Sequence, residues 1–235
     1  MKRMKKSALF LAAVSLVAIR NAAQAEASLF ITDGVNSLTI VDGSANDSNP
    51  LVGVITYNNQ LDASSPWSIN VTTGISKPQL GSDLIPFMDL GSVNVSSSRG
   101  GTLTVEFSDN NFGPLLPGSF VSEIGGTTGG NVTFQTWYDL GNTLFAKTTQ
   151  AGNLSFDSTP FSGYTVADRP GDGSVSLTLQ TIITHTGTEI TSYDASMYDS
   201  TIRPNVPEPA TLSLLGLGAL SGFWMLKRSR KNNAA

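Results

Sequence analysis

Short β-prone segments, separated every few residues by glycine, asparagine, aspartate, serine or proline, constrain this chain more than any other feature of its sequence. Ser28–Thr32 stops at Asp33-Gly34, and Ser37–Val41 stops at Asp42-Gly43. Asp-Gly pairs are typical of hairpins and tight turns. Between residues 26 and 203, no window of helical length has apolar residues at a 3.6-residue period. The pattern therefore predicts a body made of strands.

The middle of the chain repeats this pattern, with apolar residues at alternate positions in residues 102–107 and 131–138. Residues 174–186 form the clearest strand, in which Ile182-Ile183 interrupts the alternation and suggests a β-bulge. About ten such strands with frequent turns are typical of antiparallel sandwiches. We therefore predict an all-β fold, an antiparallel β-sandwich of the jelly-roll kind.

The first 25 residues have the three parts of a secretory signal peptide. Four basic residues precede an apolar stretch from residue 7 to residue 19, and Ala23-Gln24-Ala25 supplies a small-x-small cleavage site. We expect an N-terminal signal helix that is removed just before Glu26. The alternative is a single-pass anchor, which the short apolar stretch disfavours.

The last thirty residues predict a membrane helix. Residues 210–226 contain no charge, and this length is at the lower limit of the roughly 17–25 residues that cross a bilayer. Pro207 and Pro209 prevent a helical continuation upstream, so the helix begins near Ala210. A basic cluster follows that would stay cytoplasmic and act as a membrane stop: Lys227, Arg228, Arg230 and Lys231. The alternative is a long helix buried in a globular core.

This order of Val206-Pro207-Glu208-Pro209, apolar run and basic cluster closely resembles the PEP-CTERM sorting signal of Gram-negative bacteria. The resemblance implies that Pro207, Glu208 and Pro209 are recognised by an exosortase, a transpeptidase-like membrane enzyme that cleaves near them. Residues 103–112 and 176–195 are also similar to segments common in exported proteins of this group.

The resemblance implies a division into three parts. Residues 1–25 are the signal peptide, residues 26–203 the exported β-sandwich, and residues 204–235 the sorting signal. The expected partners are an exosortase, the export machinery and, through residues 210–226 before processing, the inner membrane. The expected destination is the cell surface or the extracellular matrix.

Charge and cysteine usage restrict the partners of the body. From Glu26 to Glu208 the chain has eighteen acidic and five basic residues, a formal charge of −13. Such a segment repels nucleic acid and anionic membrane surfaces, so we expect no nucleic-acid binding. The chain has no cysteine, which leaves no disulfide framework and no thiolate metal site.

No constellation of residues predicts catalysis. His185 is the only histidine, and no Gly-x-Ser-x-Gly motif occurs. In a Thr-rich strand, His185 is more typical of a cross-strand neighbour than of a catalytic base, and one histidine without cysteine does not make a zinc site. We therefore expect no enzyme, no catalytic residue, no metal site and no cofactor.

Two sets of residues keep alternatives open. Carboxylates of residues 168–173 and of the Asp-Gly turns have the chemistry of calcium ligands, although turn aspartates usually cap their own backbone. Trp67, Trp137 and Tyr138 would stack on sugars if they were exposed, but a buried aromatic core is the better interpretation.

The sequence favours a non-enzymatic structural or adhesive protein of an exopolysaccharide matrix. The alternatives are a carbohydrate-binding module, recognised by aromatics along one sheet face, and a calcium-dependent or hydrolytic domain, recognised by acids beside a pocket. Ice binding fits less well, because the threonines are too irregular for a flat ranked face.

Overall fold

The computed structural model describes residues 27–169, 171 and 173–202, and this part of the chain forms twelve β-strands. Their bounds are Ser28–Thr32 (β1), Ser37–Val41 (β2), Val54–Gln60 (β3), Trp67–Ile75 (β4), Phe87–Ser97 (β5), Gly101–Phe112 (β6), Gly118–Thr128 (β7), Asn131–Asp139 (β8), Thr149–Phe156 (β9), Phe161–Arg169 (β10), Val175–His185 (β11) and Glu189–Asp199 (β12). Both predicted Asp-Gly turns are present. Gly34 and Gly43 have φ of 86° and 71°, a region that glycine adopts without steric cost.

The twelve strands form two six-stranded antiparallel sheets. Sheet A has the order β2-β1-β6-β11-β8-β9, and sheet B has the order β10-β7-β12-β5-β4-β3. The predicted all-β class with antiparallel sheets is therefore confirmed. The predicted signal helix and C-terminal transmembrane helix lie outside the described residues. Among those that are described, no helix has the length and apolar character needed to cross a membrane.

The inner faces of the two sheets share one apolar core. Leu103, Val105 and Phe107 of β6 are fully buried, and so are Met88 and Leu90 of β5 in the other sheet. Because successive side chains of a strand point to opposite faces, each strand contributes every second residue to this core. Burying one large apolar side chain is worth roughly 1.5–3 kcal/mol. The alternation therefore determines which face of each strand lies inside.

The irregularity in β11 is not where the sequence predicted it. β11 pairs in unbroken register with β6 from Leu177 to His185, and its register shift lies between Val175 and Leu177. Ile183 is buried in the core, whereas Ile182 faces outward and is partly exposed. The predicted bulge at Ile182-Ile183 is therefore wrong. The buried hydroxyl residue Thr181 holds the inward position between the apolar ones, so the alternation was never interrupted.

The connection between β8 and β9 covers part of the outer face of sheet A. Lys147 Nζ lies 2.7 Å from Glu106 Oε1, and the Phe145 backbone N–H donates to Ser108 Oγ at 3.0 Å. The Phe145 ring also meets Phe30 edge to face, with centroids 6.2 Å apart. These contacts explain why Glu106 and Ser108 are buried although they point away from the core.

A buried ion pair lies close to the register shift of β11. Lys77 Nζ is 3.2 Å from Asp109 Oδ2, and both side chains are almost inaccessible to solvent. The Ser76 hydroxyl donates to the same oxygen at 2.6 Å, and the Lys77 ammonium also stands 3.9 Å above the Phe112 ring. Burial raises the pKa of Asp109, while Lys77 and the hydrogen bonds oppose that shift. The carboxylate therefore depends on Lys77 to remain charged.

Replacing Lys77 by Met should lower the free energy of unfolding by about 3–5 kcal/mol, because it leaves a buried carboxylate without its counter-charge. Urea unfolding followed by circular dichroism measures the change. Adding Asp109→Asn should recover much of the loss. The control is Arg99→Met, which removes an exposed charge and should change stability by less than about 0.5 kcal/mol. Equal losses in the Lys77 and Arg99 variants would contradict the assignment.

Candidate functional site

A row of polar side chains crosses the outer face of sheet B. The strand registers place one member on each of four adjacent strands, opposite the next member in the row. All four alternate with core residues, so they point away from the core. The row consists of Asp89 on β5, Ser196 on β12, Glu123 on β7 and Tyr164 on β10.

This row lines a groove of about 960 Å³, which Asp194 of β12 and Leu154 and Phe156 of β9 also line. That volume lies within the range of small-molecule sites, which is about 300–1,000 Å³. Since the walls are strands rather than loops, the polar groups are held in place by the sheet ladder. We call this surface the sheet-B groove.

The groove contains three carboxylates in different states. Glu123 accepts hydrogen bonds from the hydroxyls of Ser196 and Tyr198, each at 3.2 Å. Asp194 accepts from the Ser92 backbone N–H at 2.6 Å. Burial, and then the charges of Asp194 and Glu123, raise the pKa of Asp89 to about 6. Asp89 therefore takes up a proton as the pH falls through about 6.

Exposed aromatic and apolar surface lies at the β10 end of this row and beside it. Tyr164 is 71% exposed and Val166 is 57% exposed, both on β10 at the edge of the sheet. Further along the same face, Phe87 packs on Tyr198 with ring centroids 5.2 Å apart. A surface with aromatic rings next to hydrogen-bond acceptors can hold the apolar face of a sugar ring and bind its hydroxyl groups.

The aromatics that the sequence singled out do not form this surface. Trp67 and Tyr138 are buried, which confirms the prediction of a core role for these two residues. Trp137 is half-buried on the outer face of sheet A, and its Nε1 is inaccessible. The sheet-B groove instead uses Tyr164, which no sequence pattern distinguished from other tyrosines.

His185 is buried and bridges the two sheets. Its Nδ1 lies 2.7 Å from Ser97 Oγ, and its Nε2 lies 2.8 Å from Thr191 Oγ1. The Ser97 hydroxyl donates to the Gly187 carbonyl at 2.9 Å, so Nδ1–H must donate to Ser97 and Nε2 must accept from Thr191. The imidazole also packs on the Trp67 ring, with centroids 4.7 Å apart and the ring planes tilted by 36°. These contacts give His185 a structural role. Its side-chain partners lie on the opposite sheet, not on a neighbouring strand of its own sheet.

The described carboxylates of residues 168–173 and of the β1–β2 turn accept hydrogen bonds from the protein itself. Asp168 Oδ1 accepts from Ser119 Oγ at 3.2 Å, and Arg169 pairs with Asp199, while Asp172 is outside the described residues. In the β1–β2 turn, Asp33 Oδ1 accepts from the backbone N–H groups of Val35 and Asn36. Over the whole described part, no three histidine, cysteine or acidic side chains are grouped to hold a metal ion.

The residues predicted for sorting and processing lie outside the described part of the chain. This applies to the recognition residues Pro207, Glu208 and Pro209 and to the signal-peptide cleavage residues Ala23 and Ala25. It also applies to the membrane segment 210–226 and to the basic residues of the membrane stop: Lys227, Arg228, Arg230 and Lys231.

A family model described as the PEP-CTERM protein-sorting motif matches residues 205–231. The chain carries a PEP-CTERM sorting motif. This confirms the resemblance seen in the sequence. The motif supports the prediction of an exported protein that is sorted by an exosortase.

No curated protein matches this chain. Among solved structures, TmCBM61 in complex with beta-1,4-galactotriose is 9% identical over 58% of this chain and 90% of its own, with a TM-score of 0.29. The enzymatically active domain of tailspike protein 4 of bacteriophage CBA120 is 11% identical over 55% and 19%, with a TM-score of 0.25. The isomalto-dextranase of Arthrobacter globiformis T6 complexed with panose is 12% identical over 61% and 23%, with a TM-score of 0.23. TM-scores this low are not evidence for a shared function.

The stability of the body should depend on the protonation of His185. Burial lowers the pKa of folded His185 below its usual 6.5, so the unfolded chain binds the proton more tightly. This contribution is therefore present above pH 6.5 and is lost as the pH falls below it. His185→Gln should flatten the rise of unfolding free energy between pH 5 and pH 7, measured by urea unfolding at each pH.

Asp89→Asn serves as a control, because it should change the pH dependence of stability in the opposite direction. The folded-state pKa of Asp89 is raised to about 6, so its contribution falls as the pH rises and partly cancels that of His185. Removing it should steepen the rise in stability over the same interval. An unchanged slope in the His185→Gln variant would contradict the role given to the imidazole.

Proposed function

We propose that this chain is a non-enzymatic, exosortase-sorted protein of the extracellular matrix, and that its body adheres to polysaccharide through the sheet-B groove. In this proposal residues 1–25 are removed on export, residues 26–203 form the exported body, and residues 204–235 are the sorting signal. Residues 210–226 anchor the chain in the inner membrane until processing near Pro207-Glu208-Pro209. The sorting motif at residues 205–231 is the observation that carries the proposal.

The groove supports the adhesive part of the proposal through its chemistry. Glu123, Asp89 and Asp194 supply hydrogen-bond acceptors, and Tyr164 supplies an exposed ring at the open edge of the groove. The hydroxyl groups of a sugar can donate to these carboxylates, and the C–H face of the sugar ring can pack on the Tyr164 ring. Because the groove is open and its contacts are few, each one is weak. Adhesion would come from many copies on one polymer.

A second candidate function, glycoside hydrolysis, is favoured by one observation. Asp89 and Glu123 lie in one row on strands separated by a single strand, so their backbones are roughly 9–10 Å apart. In inverting glycosidases, the carboxyl group of the protonated acid and that of the base are about 6.5–9.5 Å apart. Asp89, with its pKa of about 6, would be the acid, and Glu123 the base.

Replacing Pro207, Glu208 and Pro209 by alanine should leave the C-terminal segment attached to the body, because the exosortase loses the residues it recognises. The measurement is cell fractionation followed by mass spectrometry of both termini. Ser229→Ala, a change in the basic tail that leaves Pro207-Glu208-Pro209 intact, is the matched control and should be processed like the parent. Normal processing of the triple variant would exclude recognition through these residues.

Tyr164→Ala should weaken binding to the exopolysaccharide of the host by about two- to tenfold, because an aromatic contact contributes about 0.5–1.5 kcal/mol. Glu123→Gln should weaken it as well, since the carboxylate is the stronger acceptor. Isothermal titration and affinity electrophoresis measure the change. Ile190→Ala is the control, because Ile190 is 66% exposed but does not line the groove.

The same samples separate adhesion from hydrolysis. Release of new reducing ends that stops in Asp89→Asn and Glu123→Gln would favour the enzyme. Binding without release of reducing ends would favour the adhesive function. Binding that none of the groove variants affects would contradict both.

A further inference from the structure

The buried pair of Lys77 and Asp109 connects the two sheets. Lys77 lies just after the end of β4 in sheet B, and Asp109 lies in β6 of sheet A. The lysine Nζ is 3.2 Å from the aspartate Oδ2, and the two side chains are only 6% and 0% exposed. An amine and a carboxyl group are the two reactants of an amide. Held together away from water, they are placed to react as well as to attract each other.

The two oxygens of the Asp109 carboxyl group have different hydrogen-bond donors. The Asn110 backbone N–H donates to Oδ1 at 2.7 Å, whereas the Ser76 hydroxyl donates at 2.6 Å to Oδ2, the oxygen that Lys77 approaches. A donor on Oδ1 stabilises the negative charge that develops there when a nucleophile attacks Cγ. A donor on Oδ2 assists the departure of that oxygen as water. Oδ1 is therefore placed as a carbonyl oxygen and Oδ2 as a leaving group.

The surroundings of the pair favour its neutral form over its charged form. Burial raises the pKa of Asp109, so this carboxyl group takes up a proton more readily than an exposed one. Phe112 covers Nζ with its ring, at 3.9 Å from the centroid. Two buried ions carry a desolvation cost that a neutral amide does not have. A lysine that loses its proton in such a place becomes a nucleophile.

From this geometry we propose that Lys77 and Asp109 form an intramolecular isopeptide bond, an amide between Nζ and Cγ that joins the two sheets covalently. The ion pair is the state before the reaction. Of the three hydrogens on the ammonium, the first moves to Oδ2 within the pair. The second follows as the N–C bond forms and the Cγ–Oδ2 bond breaks, so that Oδ2 leaves as water. The third stays on the amide nitrogen and donates to the Asn110 carbonyl, which Nζ already contacts. The reaction needs no oxidant, reductant or other reactant.

The pair of Lys147 and Glu106 provides an internal comparison. Its Nζ and Oε1 are 2.7 Å apart, closer than the atoms of the Lys77 pair, but Lys147 is 33% exposed. Water stabilises that ammonium, and a protonated amine is not a nucleophile. The other carboxylate near Lys77 is Asp83 at 3.8 Å, which is 64% exposed and hydrated in the same way. Burial rather than distance therefore selects Lys77 and Asp109.

The bond would give the body a constraint that other exported proteins obtain from disulfides. It closes the chain between residues 77 and 109 and so restricts the unfolded state. The chain has no cysteine, and an amide does not depend on the redox state of its surroundings. The double variant of Lys77→Met and Asp109→Asn balances the charge but cannot close this loop. The stability that it does not recover therefore includes the contribution of the bond.

The test is the intact mass and the tryptic peptide map of the purified full-length chain. The bond lowers the mass by one water molecule. Trypsin cleaves after Arg99, between the two partners, and does not cleave after Lys77 because Pro78 follows. The peptide that ends at residue 99 and the peptide of residues 100–147 should therefore stay joined. Tandem mass spectrometry should locate the link at Lys77 and Asp109.

The peptide map separates this bond from other losses of water. A succinimide at Asp33-Gly34 or Asp42-Gly43 has the same mass change, and so does an amide between Lys77 and Asp83. Each of these lies within the peptide that ends at residue 99, so the two peptides would separate. Loss of water without joined peptides would contradict the inference.

Lys77→Arg removes the nucleophile and keeps the positive charge beside Asp109. This variant should have the full mass and give two separate peptides. Lys147→Arg is the matched control and should keep the joined peptides, since trypsin cleaves after either residue. Circular dichroism checks that each variant is folded. Two results would overturn the inference: a folded parent protein with the full mass and separable peptides, or joined peptides in Lys77→Arg. The first of these needs no variant to fold.

Discussion

The fold depends on how its two sheets are joined where β11 passes into β12. These consecutive strands each lie inside a different sheet, so their short connection fixes the sheets relative to each other. At this point a chain of hydrogen bonds runs from the Thr128 hydroxyl through Thr191 and His185 to Ser97 and the Gly187 carbonyl. Each donor has one acceptor only while the imidazole is neutral, and a fully satisfied buried network specifies a single arrangement. The junction therefore holds the strands that carry the sheet-B groove.

Charge is distributed unevenly over the body. The sheet-B groove presents three carboxylates and an exposed tyrosine, which suits neutral hydroxyl-rich chains. Weak contacts repeated along a matrix add up through effective concentration. Lys77, Lys147 and Arg169 form ion pairs with carboxylates of the body, as in the pair of Lys77 with Asp109. The surface of the body therefore stays mainly acidic, because these positive charges are paired with carboxylates.

The sequence could predict the core position of some residues but not the grouping of others into a site. The strand alternation identified Leu103, Val105 and Phe107 as core, because the side-chain period of a strand is local. It failed at Ile182-Ile183, because a buried threonine held the core position between apolar residues. The groove could not be predicted, since Asp89, Glu123 and Tyr164 lie 34 and 41 positions apart in sequence and meet only through strand pairing. Lys77 and Asp109 are likewise distant in sequence and meet only because the chain after β4 packs against β6.

By itself the sequence determined the all-β class, the acidic character of the body and the sorting motif at residues 205–231. All three depend on residues that are close together in the chain or on composition. Only the tertiary structure decided which strands are neighbours, which carboxylates share a row, and that the lone histidine is a buried bridge. Pairing between distant strands is set by the packing of the whole core, and no local pattern contains that information.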